Sequence, residues 1–122
     1  MDRLTRVAFR LLRALEWVER RRRRIRDRAI LAESDLFDAD WYRRTYPEVA
    51  ASGWDPLDHF LTYGAAGRHS PGPSFDAPAY LAANPDIAAD RANPLLHYIE
   101  HGRRERRPLA PRGPAPDATG RR

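Results

Sequence analysis

The chain has 122 residues, no cysteine, and 22 basic residues that are all arginine. The length bounds it to one domain with tails. Without cysteine there is no disulfide scaffold and no thiolate metal site, as in a reducing compartment. Net charge is +5, but it is divided into blocks. Residues 1–35 carry eleven Arg against six acids, residues 36–102 carry four against nine, and residues 103–122 carry seven against two. Basic arms of this kind meet phosphate, on lipid or on nucleic acid. No stretch approaches the roughly 20 apolar residues needed to span a bilayer. Arg6, Arg10 and Arg13 interrupt what a secretory signal would keep apolar, so the expected location is cytoplasmic.

The first predicted element is one long amphipathic helix over residues 3–31, within an Arg-rich segment 1–33. Leu4, Ala8, Leu11, Leu15, Val18, Arg22, Ile25 and Ala29 follow alternating steps of four and three, a heptad seam with one Arg in it. Val7, Leu12 and Trp17 widen the apolar face. Arg20, Arg21, Arg22, Arg23 and Arg24 form an unbroken cationic block, the candidate membrane- or anion-binding residues. The stripe has four readings: burial against the chain's own repeats or a coiled-coil homo-oligomer; a peripheral helix on anionic lipid; nucleic-acid binding; or a partner groove, or disorder. No helix-turn-helix or base-stacking motif accompanies the Arg block, which weighs against nucleic acid.

Residues 34–109 then repeat themselves with a period of 38 and no gap. Phe37-Asp38-Ala39 returns as Phe75-Asp76-Ala77, and Tyr42 as Tyr80. Pro47-Glu48-Val49-Ala50-Ala51 returns as Pro85-Asp86-Ile87-Ala88-Ala89. Pro56-Leu57 returns as Pro94-Leu95, His59-Phe60-Leu61 as His97-Tyr98-Ile99, Gly64 as Gly102 and Arg68 as Arg106. Such a period marks one supersecondary unit used twice. Each unit, 34–73 and 74–109, reads as two or three short helices. Asp38 and Asp76 are N-caps, with Phe37/Tyr42 and Phe75/Tyr80 at hydrophobic-staple spacing. Pro47 and Pro85 break the first helix or start a second. Asp55-Pro56 and Asn93-Pro94 are a cap followed by Pro at the first helical position. Gly64 and Gly102 are expected as left-handed residues that end the last helix.

These residues resemble a bacterial repeat found beside glycosyltransferase domains in surface-polysaccharide proteins. The shared pattern is Phe-Asp-x-x-x-Tyr, then Pro-(Asp/Glu)-(Val/Ile)-Ala, then (Asp/Asn)-Pro-Leu-x-His-(Phe/Tyr), then Gly with a downstream Arg. The resemblance implies an accessory unit rather than a catalytic one. The second copy departs from the first: Ala79 replaces Trp41, and Arg91-Ala92 replaces Gly53-Trp54. Residues 110–122, rich in Pro, Gly and Ala, read as a disordered tail.

Two patterns suggest chemistry. Asp38-Ala39-Asp40 spells the D-x-D of many glycosyltransferases, but a cap followed by a first-turn acid accounts for it, and the second copy has Pro78 in place of Asp40. His97 and His101 have metal-ligand spacing on a helix, but their counterparts are His59 and Tyr63 and no third ligand is apparent. His59 and His97 are instead expected to bond to backbone or to a neighbouring Tyr. No phosphate loop or nucleophilic triad is present, and no cofactor is implied.

The sequence therefore predicts an all-α, non-enzymatic chain: a long helix, two repeats and a disordered tail. The expected role is an adaptor in bacterial envelope polysaccharide biosynthesis, peripheral at the inner face of the cytoplasmic membrane. Its partner would be a glycosyltransferase or another envelope-assembly component. The candidate contact surface is Trp41, Tyr42, Tyr46, Trp54 and Tyr80, whose competing role is core packing in so small a unit. The alternatives are a fragment or degenerate accessory region of a glycosyltransferase, and third a nucleic-acid-binding basic protein.

Overall fold

The computed structural model describes residues 2–66 and 68–112 and is all-helical, with one isolated bridge, Gly72 to Phe75, in place of any strand among those residues. Helix α1 (Arg3–Glu33) is capped by Asp2, whose carboxylate accepts from the Thr5 N–H at 2.7 Å. Its 31 residues span about 46 Å. Only its C-terminal part meets the repeats. Leu31 is fully buried, and Arg24, Arg26 and Arg28 reach across to them.

The first repeat comprises α2 (Ala39–Thr45), α3 (Pro47–Ser52) and α4 (Pro56–His59), which continues into a π-helical turn over Phe60–Gly64. The second comprises α5 (Ala77–Ala83), α6 (Pro85–Ala89) and α7 (Pro94–His97), with its π turn over Tyr98–Gly102. The caps fall where the sequence places them. Asp38 accepts from the Trp41 N–H and Asp76 from the Ala79 N–H, both at 2.9 Å. Asp55 accepts from Asp58, and Asn93 from Leu95 and Leu96. The staples close as ring contacts, Phe37 to Tyr42 at 5.8 Å and Phe75 to Tyr80 at 5.2 Å. Pro47 and Pro85 each open a helix, so the units have three helices.

The core is built from matched positions. Tyr42, Val49 and Leu57 of the first repeat are buried, as are Tyr80, Ile87 and Leu95 of the second, and Leu31 of α1 joins them. The seating of α1 uses both units. Arg24 donates to the Thr62 hydroxyl at 2.6 Å, and Arg26 donates to Glu100 at 3.2 Å; Thr62 and Glu100 are the same position of the repeat. Arg28 adds Asp58 at 2.9 Å and Asp55 at 3.2 Å. These pairs are partly exposed and contribute on the order of 0–1 kcal/mol each, whereas burying Leu31 contributes about 1.5–3 kcal/mol.

Two expectations change. Gly64 and Gly102 do not carry the left-handed cap: the positive-φ positions after the π turns are Arg68 (φ 61°) and Arg106 (φ 53°). The Arg68 N–H bonds Ala65 O and the His69 N–H bonds Gly64 O; Arg106 to Arg103 and Arg107 to Gly102 repeat this pairing. That is the bonding that closes a helix on a left-handed residue, set four residues beyond each glycine. The glycines serve another purpose: a Cβ on Gly64 would collide with the Tyr42 hydroxyl, and one on Gly102 with the Tyr80 hydroxyl. The disordered tail predicted over 110–122 falls, from residue 113 onward, outside the described residues.

Candidate interaction surfaces

Each repeat is organised around one buried tyrosine. Tyr42 and Tyr80 have no exposed surface, and each hydroxyl lies 2.7 Å from the Nδ1 of the histidine 17 residues on, His59 or His97. Burial raises both phenol pKa values, chiefly by desolvating the phenolate. Burial likewise lowers those of His59 and His97; the neighbouring His69 adds to the effect at His59, and the guanidinium of Arg107 at His97. At neutral pH each pair is therefore an uncharged hydroxyl–imidazole hydrogen bond. Tyr42 and Tyr80, two of the five residues proposed for a contact surface, face the core and offer no surface.

The other three lie in the first repeat and differ among themselves. Trp41 and Tyr46 are half-buried and meet edge-to-face at 6.2 Å. Tyr46 also holds the segment that leaves the repeat, since its hydroxyl accepts from the Ser70 N–H at 2.8 Å. The second repeat makes the same tie with other chemistry, Asn84 Nδ2 donating to Pro108 O at 2.9 Å. Trp54 is 41% exposed. The structure adds two residues to this side that the sequence reading passed over. Tyr63 packs edge-to-face on Trp54 at 5.1 Å, and His69 stacks on Tyr46 at 3.9 Å with an interplanar angle of 7°. His69 also brings its Nδ1 within 3.1 Å of the Tyr42 hydroxyl and its Nε2 within 3.9 Å of Glu48. A phenol has one proton, so Tyr42 donates to one imidazole and accepts from the other. Position 69 was findable from the period, because its counterpart is Arg107, which pairs with Asp86 at 2.9 Å at the place where His69 faces Glu48.

The third surface is α1. From Leu4 to Trp17 the apolar face has no partner among the described residues: Leu4 is 80% exposed, and Leu11, Leu12, Leu15 and Trp17 each more than half. Of the seam read from the sequence only Val18 is half-buried, while Ile25 and Ala29 at its far end are exposed; the helix packs on the repeats through Leu31, which lies off that seam. All five arginines from Arg20 to Arg24 are exposed. Arg24 is committed to Thr62 and Arg22 lies 3.8 Å from Glu19, while Arg21 lies over the Trp17 ring at 5.5 Å, as Arg13 does over Phe9 at 5.7 Å. No helix among the described residues is long and apolar enough to cross a membrane.

The residues of the short motifs also make local structural contacts. Asp38 caps α2, and Asp40 pairs with Arg43 at 3.3 Å. His97 is held by Tyr80, its ring 5.7 Å from that of His101, and no group of three metal-ligating side chains occurs among the described residues. No family model matches the chain, and neither a curated protein nor a solved structure matches it. The resemblance to the glycosyltransferase-associated repeat rests on the motif residues themselves. Those residues are the buried Tyr, its His, the glycine and the caps.

Proposed function

We propose that the chain is a non-catalytic helical-repeat adaptor in bacterial envelope polysaccharide biosynthesis. It sits at the inner face of the cytoplasmic membrane through the free part of α1. The repeats hold a protein partner, a glycosyltransferase or another envelope-assembly component, against the Trp41, Trp54 and Tyr63 side of the first copy. The observation that carries this reading is the division of α1. Its last turns seat on both repeats, while Leu4 to Trp17 extend beyond them with apolar residues exposed beside arginines. Arg13 and Arg21 resting on aromatic rings are suited to the headgroup layer, where a ring lies low and the guanidinium snorkels. Arg22, charged within the seam, weakens a coiled coil but not an interfacial helix.

Sedimentation with vesicles tests the membrane part. The chain is expected to pellet with anionic but not neutral vesicles, less so at high salt, and to stay in the supernatant once Arg20 to Arg23 are changed to Gln. A chain that stays soluble with anionic vesicles, and runs as a dimer through α1, overturns it.

A further inference from the structure

The two repeats do not close on one another; between them runs a groove of ≈ 730 Å³, within the roughly 300–1,000 Å³ of small-molecule sites. Its walls are apolar and small: Leu61 and two alanines from the first repeat face Leu81, Pro78 and three alanines from the second. Its polar lining is Thr62, Arg68, Arg91 and Asn93, and no carboxylate lines it among the described residues.

Three observations give this groove a charge preference. First, Arg68 and Arg91 are exposed and make no ion pair or side-chain hydrogen bond among the described residues, unlike Arg28 or Arg107. Second, Arg91 has φ 55° at the position where the first repeat has Gly53 at φ 76°. The left-handed conformation costs an ordinary side chain about 1–2 kcal/mol and costs glycine almost nothing. The second repeat thus keeps the strained turn, gives up the residue that suits it, and places a guanidinium on the groove. Arg68 has its counterpart in Arg106, so its conformation belongs to the repeat; that of Arg91 does not. Third, the Nδ2 of Asn93, at the same groove, is buried with no acceptor, a state that costs free energy unless something supplies one. The cationic block of α1 reaches the same rim, where Arg24 holds Thr62.

We propose that this inter-repeat groove binds an anionic amphiphile: an alkyl chain along the leucine and alanine walls and a phosphate or carboxylate head between Arg68 and Arg91. The groove stands on its own lining and does not depend on the membrane role of α1. The probe is n-decyl phosphate below its micelle concentration, titrated calorimetrically into the full chain, with methyl chemical shifts recorded in parallel. Inorganic phosphate supplies the head alone and 1-decanol the chain alone. The informative variant is Arg68→Asn with Arg91→Gly, because both new residues suit a left-handed backbone and leave the fold intact. Saturable one-to-one binding is expected, with shifts at Ala65, Ala82 and Ala92, clearly weaker binding of either half-probe, and a loss of about tenfold or more in the double variant. Changing Arg20 to Arg23 to Gln removes vesicle binding and leaves this site, so the two readings fail separately. Equal affinity in the double variant, shifts confined to α1, or inorganic phosphate binding as tightly as the amphiphile would each overturn the proposal.

Discussion

The two repeats are the same fold carried by different surfaces. Aligned at 38 residues, they share the buried set, Tyr42 with Tyr80, Val49 with Ile87 and Leu57 with Leu95, together with the half-buried histidine 17 residues on and the glycine that meet the tyrosine. Outside that set the first repeat has Trp41, Tyr46, Trp54, Tyr63 and His69 where the second has Ala79, Asn84, Ala92, His101 and Arg107. Even the strap that closes each unit is tied at the same position by unlike groups, a tyrosine hydroxyl in one and an asparagine amide in the other. The buried tyrosine, its histidine and the glycine thus specify the unit, while the exposed aromatic side is free to differ and is the part that can carry a separate role.

The comparison is broken hardest at the glycines. Gly64→Ala sets a methyl against a tyrosine hydroxyl that two histidines hold, with the Phe60 ring 3.1 Å from the new atom. Gly102→Ala meets Tyr80, which has one histidine partner. Each is expected to cost about 2–3 kcal/mol, the range of overpacking in a core, and to lower the melting temperature by about 4–8 °C per kcal/mol. If either alanine variant melts with the natural chain, the glycine is not there for the tyrosine.

The next effect separates the copies. Tyr42→Phe leaves two imidazoles without their common partner and is expected to cost about 2 kcal/mol; Tyr80→Phe leaves one and is expected to cost about 1 kcal/mol. Urea denaturation of the two variants measures the difference. Equal losses would show that the contact of His69 with Tyr42 contributes nothing.

Acidification acts on both copies in the same direction. Burial lowers the pKa values of His59 and His97 in the folded chain. Their contribution is therefore complete above the unfolded value near 6.5 and is lost as the pH falls through the lower folded values. The neighbours that modulate this are His69 and Glu48 around His59, and Arg107, Glu105, His101 and Asp86 around His97. Stability is expected to decline between pH 7 and pH 5, and to decline less in His59→Gln with His97→Gln. An unchanged slope in that double variant would remove the histidines from the account.

Much of this fold is legible in the sequence because its grammar is local. Asp38, Asp76, Asp55 and Asn93 announce helix starts by side-chain chemistry that acts within three residues, and the prolines after Asp55 and Asn93 fix the register. The long period-matched stripe of α1 is legible for the same reason. The π turns, the displaced caps at Arg68 and Arg106, and the true use of Gly64 and Gly102 are not. The use of the glycines follows from where a tyrosine hydroxyl arrives from another helix, and no propensity records that. The candidate surface was half legible for a related reason. Aromatic residues mark both core and contact, and only the packing separates Tyr42, with no exposed surface, from Trp54, which stands out of it. The reach of α1 over the repeats was invisible, since its stripe looks the same whether covered or bare.

The smallest expected effect has the opposite sign and sharpens the comparison most. Gly53 and Arg91 are the same position, both left-handed, at φ 76° and φ 55°. A Cβ on Gly53 would meet nothing within 4 Å, so crowding plays no part and only the backbone conformation matters. Arg91 is exposed and its side chain makes no ion pair among the described residues, so little is lost on removing it. Arg91→Gly relieves a conformation that costs about 1–2 kcal/mol, and glycine returns part of that as extra freedom of the unfolded chain. The net expectation is a stabilisation of about 0.5–1 kcal/mol, read as a higher urea midpoint at unchanged slope. Gly53→Ala, the mirror experiment, is expected to destabilise by a similar amount. If Arg91→Gly instead lowers the midpoint, the arginine holds the second repeat together, and its place on the groove has a structural cause. If the midpoint rises, the natural chain carries a residue that its own fold disfavours, and the reason for that arginine lies in what the groove meets.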